Sequence, residues 1–411
     1  MTNEQPLAGI KVIEFGQFIA GPGATQILAD LGAEVIKIES FNGDNSRRFG
    51  VSERSGHRSG MFMAYNRGKK SVALDLRNAE GVAVAQELAL GADVVVQNSR
   101  VGVMESLGLD AASLRARKPS LIHASISGFG TRGPSRERPG LDIAAQAESG
   151  MMSLTGEPGG TPLKTGFAVV DAATATAAAN AILAALFRCA RHGEGATIET
   201  SLLAVAVGLQ AQIWAEYGCS GQLPQRAGNA QPLVAPAADL IQVRDGHIVI
   251  SAYMEDHWQR LCRAIDQPEL ATDPRFATSN DRVANRPAMV AILTEALGGH
   301  GGEEARARLE AFGVVCGVVR NYEQVRASAD VEAIGIFQRV HDGKGGEVDV
   351  PALPYTFVGT AAVETAADPA PRASFLPELG QHTLEVLEQA GFPAQRRQAL
   401  LDAKVIAIGG R

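Results

Sequence analysis

Short apolar runs alternate with longer segments of helical periodicity from the start of the chain. IKVIEF reads as a strand, GPGATQILADLG as a turn entering a helix, and AEVIKIE as a second strand ending in Glu39. Together they make one βαβ unit. SVALDL (71–76), NAEGVAVAQELALG, ADVVVQN (92–98) and LIHASISGFG (121–130) continue as strand, helix, strand and strand. Strands interleaved with helices predict an α/β fold with a parallel, doubly wound sheet. After the polar loop TRGPSRERPG (131–140), LDIAAQAESGMMSLTG predicts a helix. KTGFAVVD then ends an apolar run on Asp171, and a small-residue helix follows to about Arg188. HGEGATIETSLLAVAVGLQ (192–210) reads as turn, strand and helix, so the first domain is expected to span 1–215. The register then changes. PQRAGNAQPLVAPAADL (224–240) reads as loop, DGHIVISAY (245–253) as a strand and 254–325 as mainly helical, which gives a smaller α+β domain at 225–328. From 330 to 411 come short strands and proline-rich connections (VDVPALPYTFVGT), then helices at HTLEVLEQAG and AQRRQALLDAKVI.

Composition narrows the class. The chain has 411 residues, 45% hydrophobic and 20% charged, with a net charge of -7. An acidic balance disfavours nucleic acid as a partner. MTNEQPLAG has no basic segment leading into an apolar one, and no run approaches the ~18–20 unbroken apolar residues of a membrane span. A cytoplasmic protein without a membrane partner is expected. Cys189, Cys219, Cys262 and Cys316 lie far apart, and the eight histidines show neither HxH nor HExxH spacing. No disulfide framework or metal site is therefore expected. Gly21 and Gly23, with Glu39 after the second strand, imitate a dinucleotide fingerprint, but Gln26 stands where its third glycine belongs. Neither NAD nor a flavin is expected, and Gly21-Pro22-Gly23 reads as a tight turn with Pro22 opening the helix. No GxSxG elbow is present.

Two features remain as candidate chemistry. Arg47-Arg48, Asn66-Arg67-Gly68-Lys69-Lys70 and Arg100 fall at or near strand ends, where open α/β sheets bind ligands, so a phosphate-bearing cofactor fits there. Asp171 stands directly before an alanine-rich helix. As an N-cap it would accept a first-turn N–H, and the helix N-terminus would lower its pKa and keep it ionised. An ionised carboxylate can also act as a nucleophile towards an acyl group. Residue type alone leaves both roles open.

LAGIKVIEFGQFIAGPGATQILADLGAEVIKIE, NRGKKSVALDL, ADVVVQN, SISGFGTRGP, LDIAAQAESGMMSLTG, the Asp171 segment and HGEGATIETSLL together resemble the class III CoA-transferases. The likeness runs from about residue 7 to ELGQHTLEVLEQAGF, nearly the whole chain. It implies a Rossmann-like large domain built from both ends of the chain, a small middle domain, and an interlocked homodimer. It also implies coenzyme A as co-substrate, an acyl-CoA donor and a carboxylic acid acceptor. Asp171 matches the catalytic aspartate, expected to carry acyl-aspartyl anhydride and aspartyl-CoA thioester intermediates. Gln17, Phe18 and Ala20 match the turn bordering CoA and the acyl site, Leu74 a residue near the adenine, and Asn98 one near the pantetheine or diphosphate. Arg100 and Arg67 join them as phosphate partners on charge and position. Gly228 and Asn229 match the start of a loop that approaches the site. Where formyl-CoA transferase has a glycine run acting as a lid, this chain has QPLVAP, which implies no glycine lid and a substrate larger than an oxalate-type acid. The same superfamily contains α-methylacyl-CoA racemases, which carry a histidine base where this chain has Leu141, before Asp142. Leucine accepts no proton, so a racemase is the weaker alternative. Asp142 itself reads as a helix N-terminal acid. A catalytically silent CoA- or nucleotide-binding protein is the alternative from a different class.

Overall fold

The computed structural model describes residues 5–53, 58–231, 237–341, 346–357 and 375–409. The chain divides into two compact units, one of Met1–Met151, Thr165–Trp214 and Gly335–Arg411, the other of Met152–Lys164 and Ala215–Ile334. Met152–Lys164 therefore clusters with the second unit rather than with the chain on either side of it.

The first unit is built on strands β1 (Lys11–Phe15), β2 (Glu34–Glu39), β3 (Lys70–Leu74), β4 (Val94–Gln97), β5 (Ile122–Ser127) and β6 (Thr197–Ser201). Its helices are α1 (Ala20–Asp30), α2 (Gly60–Asn66), α3 (Ala79–Leu90), α4 (Val103–Ser106), α5 (Ala111–Arg117), α6 (Asp142–Glu148), α8 (Val169–His192) and α9 (Leu202–Gly208), while α7 (Met151–Leu154) falls in the second unit from its second residue on. In the second unit β7 (Ala237–Val243), β8 (Gly246–Ala252) and β9 (Val315–Val318) form an antiparallel sheet under helices, closed around Trp258, Leu261, Phe276 and Leu293. The chain then returns to the first unit with the hairpin β10 (Phe337–His341) and β11 (Glu347–Pro351), helices Thr383–Gln389 and Ala394–Asp402, and strand β12 (Ile406–Ala407).

The large sheet runs β12-β3-β2-β1-β4-β5-β6. Six strands are parallel, as the alternation of strands and helices predicts, and β12 pairs antiparallel with β3 in the register Ile406↔Leu74. The sheet is therefore mixed. Period-two alternation sends Ile13, Ile36, Val72 and Val95 to one face and Val12, Val35, Val94 and Val96 to the other. The first face is covered by α3, α5 and the two C-terminal helices, the second by α1, α8 and α9.

Four local readings change. AADL, taken as loop, opens β7, and VCGV within the helical stretch is β9. The predicted helix over LDIAAQAESGMMSLTG breaks at Gly150, whose φ of +88° lies in the left-handed region. The end of AQRRQALLDAKVI leaves the helix to make β12. Finally, α8 has the length and mean hydropathy of a membrane span (24 residues, 1.6). One face of it packs on α1, α9, β5 and β6 through Thr174, Ala175, Ala178 and Ile182.

Candidate active site

Leaving β1, successive strands step one way to β2 and β3 and the other way to β4, β5 and β6. The crevice at the carboxyl ends of β1 and β4 is thus the switch point where ligands of such sheets bind. The turn leaving β1 sits there, held almost entirely by side chains from other strand ends. The Gln17 N–H donates to Asn98 Oδ1 (2.9 Å), and Asn98 Nδ2 donates back to the Gln17 carbonyl (2.8 Å). The Phe18 N–H donates to Asp44 Oδ1 (3.3 Å), and Asn45 Nδ2 donates to the Gln17 side-chain oxygen (3.1 Å). Phe18 is locked at φ +64°, a conformation that bulky residues avoid. Gly21-Pro22-Gly23 lies inside the first turn of α1, which starts at Ala20 with Ile19 as its cap. A Cβ on Gly21 would stand 3.2 Å from Asn98 Cγ, and one on Gly23 would stand 2.8 Å from Ala175 Cβ of α8. The two glycines therefore allow a close approach of α1 to Asn98 and to α8.

That same packing brings in Asp171. It is the third residue of α8, whose cap is Ala168 without a side-chain bond, so Asp171 does not cap its own helix. Asp142 does so instead. Its Oδ2 accepts the N–H groups of Val170 (2.7 Å) and Asp171 (3.1 Å), and Gln146 Nε2 donates to its Oδ1 (2.5 Å). Thr165 N–H and Oγ1 then donate to Gln146 Oε1, at 3.0 and 3.3 Å. The helix-end N–H groups that were expected to hold Asp171 ionised are thereby spent on a second carboxylate. Burial and the charge of Asp142 raise the Asp171 carboxyl to about 7, the reverse of the lowering expected from the sequence. Tyr65 of α2 shares this environment: burial and the Asp171 charge raise its phenol, and its ring would lie 3.4 Å from a Cβ on Gly23. Asp142 is the helix N-terminal acid that the sequence suggests, the first residue of α6, but its bonds to the start of α8, like the contributions of Asp44 and Tyr65, were not foreseen. Asp-Asn-Ser after a strand signals a local cap, but nothing in the sequence announces contacts across elements.

The other sequence candidates divide. Gln17, Phe18, Ala20 and Asn98 come together at the switch point, with the Asn98 amide committed to the Gln17 backbone. Leu74 ends β3 fully buried in the core, which leaves only its backbone to meet a ligand. Arg100 is exposed two residues past Asn98. Arg67 is buried, with its guanidinium donating to Asp30 and to the Ala64 carbonyl, and so faces the fold rather than a phosphate. The basic cluster as a whole is largely turned inward: Arg47 pairs with Glu39 (2.7 Å), Lys70 with Glu34 (2.7 Å), and Lys69 is fully buried. Gly228 and Asn229 belong to the second unit, where Gly228 (φ +60°) donates its N–H to Gly156 and lies against Glu157. Residues 232–236 of QPLVAP lie outside the described residues. Among the described residues no group of three or more His, Cys, Asp or Glu could hold a metal.

A half-buried carboxyl near neutrality has many chemical uses. The model of CoA-transferase family III matches residues 7–383. The chain belongs to CoA-transferase family III. Among curated relatives of this CoA-transferase is the succinate–glutarate CoA-transferase of Agrobacterium fabrum, 35% identical over 93% of this chain and 95% of that protein. The human succinyl-CoA:glutarate CoA-transferase is 33% identical over 95% of this chain and 87% of that protein. A CAIB/BAIF family protein from Brucella suis superposes with a TM-score of 0.81 at 35% identity, covering 94% of this chain and all of the other. The substrates of CoA-transferases are CoA thioesters.

Proposed function

We propose that this enzyme is an acyl-CoA:carboxylate CoA-transferase in which Asp171 is the nucleophile. The observation that carries the proposal is the Asp171 carboxyl itself, half-buried on the first turn of α8, beside Asp142, with a pKa near 7. Burial costs a carboxylate solvation, and a less solvated anion is a stronger nucleophile once it is ionised. The Asp171 carboxylate attacks the thioester carbonyl of the donor, the C–S bond breaks, and CoA leaves as thiolate. The thiolate attacks the aspartyl carbonyl of the resulting anhydride and expels the donor acid as carboxylate. The acceptor carboxylate then attacks the aspartyl-CoA thioester, releasing CoA thiolate and forming a second anhydride. Thiolate attack on the acceptor's acyl carbonyl yields the new acyl-CoA and frees Asp171. No step requires net proton transfer.

The Gln17–Phe18 turn, the Asn98 end of β4 and exposed Arg100 are proposed to receive CoA. Succinyl-CoA is the proposed donor and a short dicarboxylic acid the proposed acceptor, a reading supported by the names of the relatives. A homodimer is proposed as well, supported by the exposed apolar side chains Leu141, Ile143, Phe167, Phe187, Leu209 and Trp214 on the first unit. The nucleophile is tested with Asp171→Ala. Calorimetry is expected to show CoA binding close to wild type, while transfer falls by about four orders of magnitude or more. Unchanged turnover would refute the role.

A further inference from the structure

Behind the Gln17–Phe18 turn lies a cluster of charges with no access to water. Glu14 on β1, Lys37 on β2 and Lys69 ahead of β3 are each 0% exposed. Lys37 Nζ donates to Glu14 Oε1 (2.6 Å), and Lys69 Nζ donates to Glu14 Oε2 (2.7 Å). Burial would protonate Glu14, but the two ammonium groups hold it at about 2. Lys37 also donates to the Gly16 carbonyl (2.7 Å) and pairs with Asp44 Oδ2 at 2.9 Å, by charge rather than by an aligned hydrogen bond. Asp44 in turn accepts the Phe18 and Ser46 N–H groups through Oδ1 (3.3 and 2.8 Å). The Asp44 N–H donates to Glu39 Oε1 (2.9 Å), which Arg47 also holds.

Four consecutive backbone groups, the Gly16 carbonyl, both amide groups of Gln17 and the Phe18 N–H, are therefore fixed by Lys37, Asn98 and Asp44. Apolar residues could fill the space of a buried ion cluster at no loss of stability, so its presence calls for a positional reason. A strained residue persists only where its surroundings over-determine it, and Phe18 in the left-handed region is such a residue. We infer that Lys37 and Asp44 are positioning residues: Lys37 anchors Asp44 and the Gly16 carbonyl, and Asp44 holds the Phe18 N–H so that the turn stays shaped for CoA. This rests on the proposal that the turn receives CoA. Lys69 shares the same Glu14 but donates to Pro22, Thr25 and Asn66, not to the turn, and so serves as an internal control.

The test compares Lys37→Met, Asp44→Ala, Asp44→Asn and Lys69→Met by thermal unfolding and by calorimetric titration with CoA. All four are expected to melt below wild type. Lys37→Met and Asp44→Ala are expected to weaken CoA binding about tenfold or more, the scale of one charge-assisted hydrogen bond. Asp44→Asn keeps an oxygen for the Phe18 N–H and is expected to recover part of that loss, while Lys69→Met binds CoA as wild type does. Affinity that tracks melting temperature across all four variants, or equal affinity for the Asn and Ala variants, overturns the inference. Wild type that binds no CoA would refute the proposed function instead. The positioning claim then rests on the crystal structure of Asp44→Ala, where Phe18 is expected to leave the left-handed region and where an unchanged φ would overturn it.

Discussion

At the scale of single residues, one carboxyl sits in an environment that contradicts the simplest reading of its position. Asp171 stands on a helix's first turn, where an acid is usually stabilised, yet Asp142 takes the N–H groups and adds its own charge, so the carboxyl titrates near 7. The nucleophile must be ionised, so kcat/KM is expected to rise with pH through about 7 and level off above it. Asp142→Asn keeps the acceptor for both N–H groups and removes the charge, so its rising limb is expected at lower pH. A limb that stays in place would show that Asp142 does not set the titration. The same shift has a stability consequence. With a folded pKa of about 7 and an unfolded value near 4, the folded state binds the extra proton, so stability falls as pH climbs between the two values and is flat above 7. Asp171→Asn carries no such loss. It is expected to gain on the order of 1–2 kcal/mol over wild type above pH 7, after discounting for partial exposure, and little at pH 4. Melting curves at the two pH values check this.

At the scale of elements, the site depends on how closely α1 and α8 approach. The sequence offered Gly21-Pro22-Gly23 as a turn, and periodicity could not show that Gly23 is a contact point for Ala175 on a helix about 150 residues later, where an added Cβ would be 2.8 Å away. Gly23→Ala is expected to cost about 1–3 kcal/mol by overpacking. Adding Ala175→Gly should restore much of it, because the two positions share one contact. A melting temperature unaffected by Gly23→Ala would remove this packing from the account. The parallel strands were legible because fully buried strands read as apolar runs between helices. β7 and β9 were not, since AADL follows a Pro/Ala-rich loop and VCGV spans only four residues. The inward turn of Arg67, Arg47 and Lys69 was equally hidden, because charge type says nothing about which partner lies behind a strand end.

At the scale of the whole molecule, the last residues complete what the first ones begin. β12 extends the large sheet beside β3, and Val386, Leu387, Leu400 and Val405 cover the face formed by Ile13, Ile36 and Val72. The sequence showed two C-terminal helices but not that their apolar sides close this face, since pairing across more than 300 residues leaves no local pattern. Removing residues 375–411 is expected to leave the first unit insoluble, as judged by soluble yield and gel filtration; a soluble, cooperatively melting product would contradict this packing role. The central claim is covalent chemistry at Asp171. It is tested most directly by incubating the enzyme with succinyl-CoA and other acyl-CoA donors, trapping with hydroxylamine or borohydride, and locating the modified peptide by mass spectrometry. The expected result is a single modification at Asp171 that requires the donor. Modification at another residue, or none with any donor, would contradict the account.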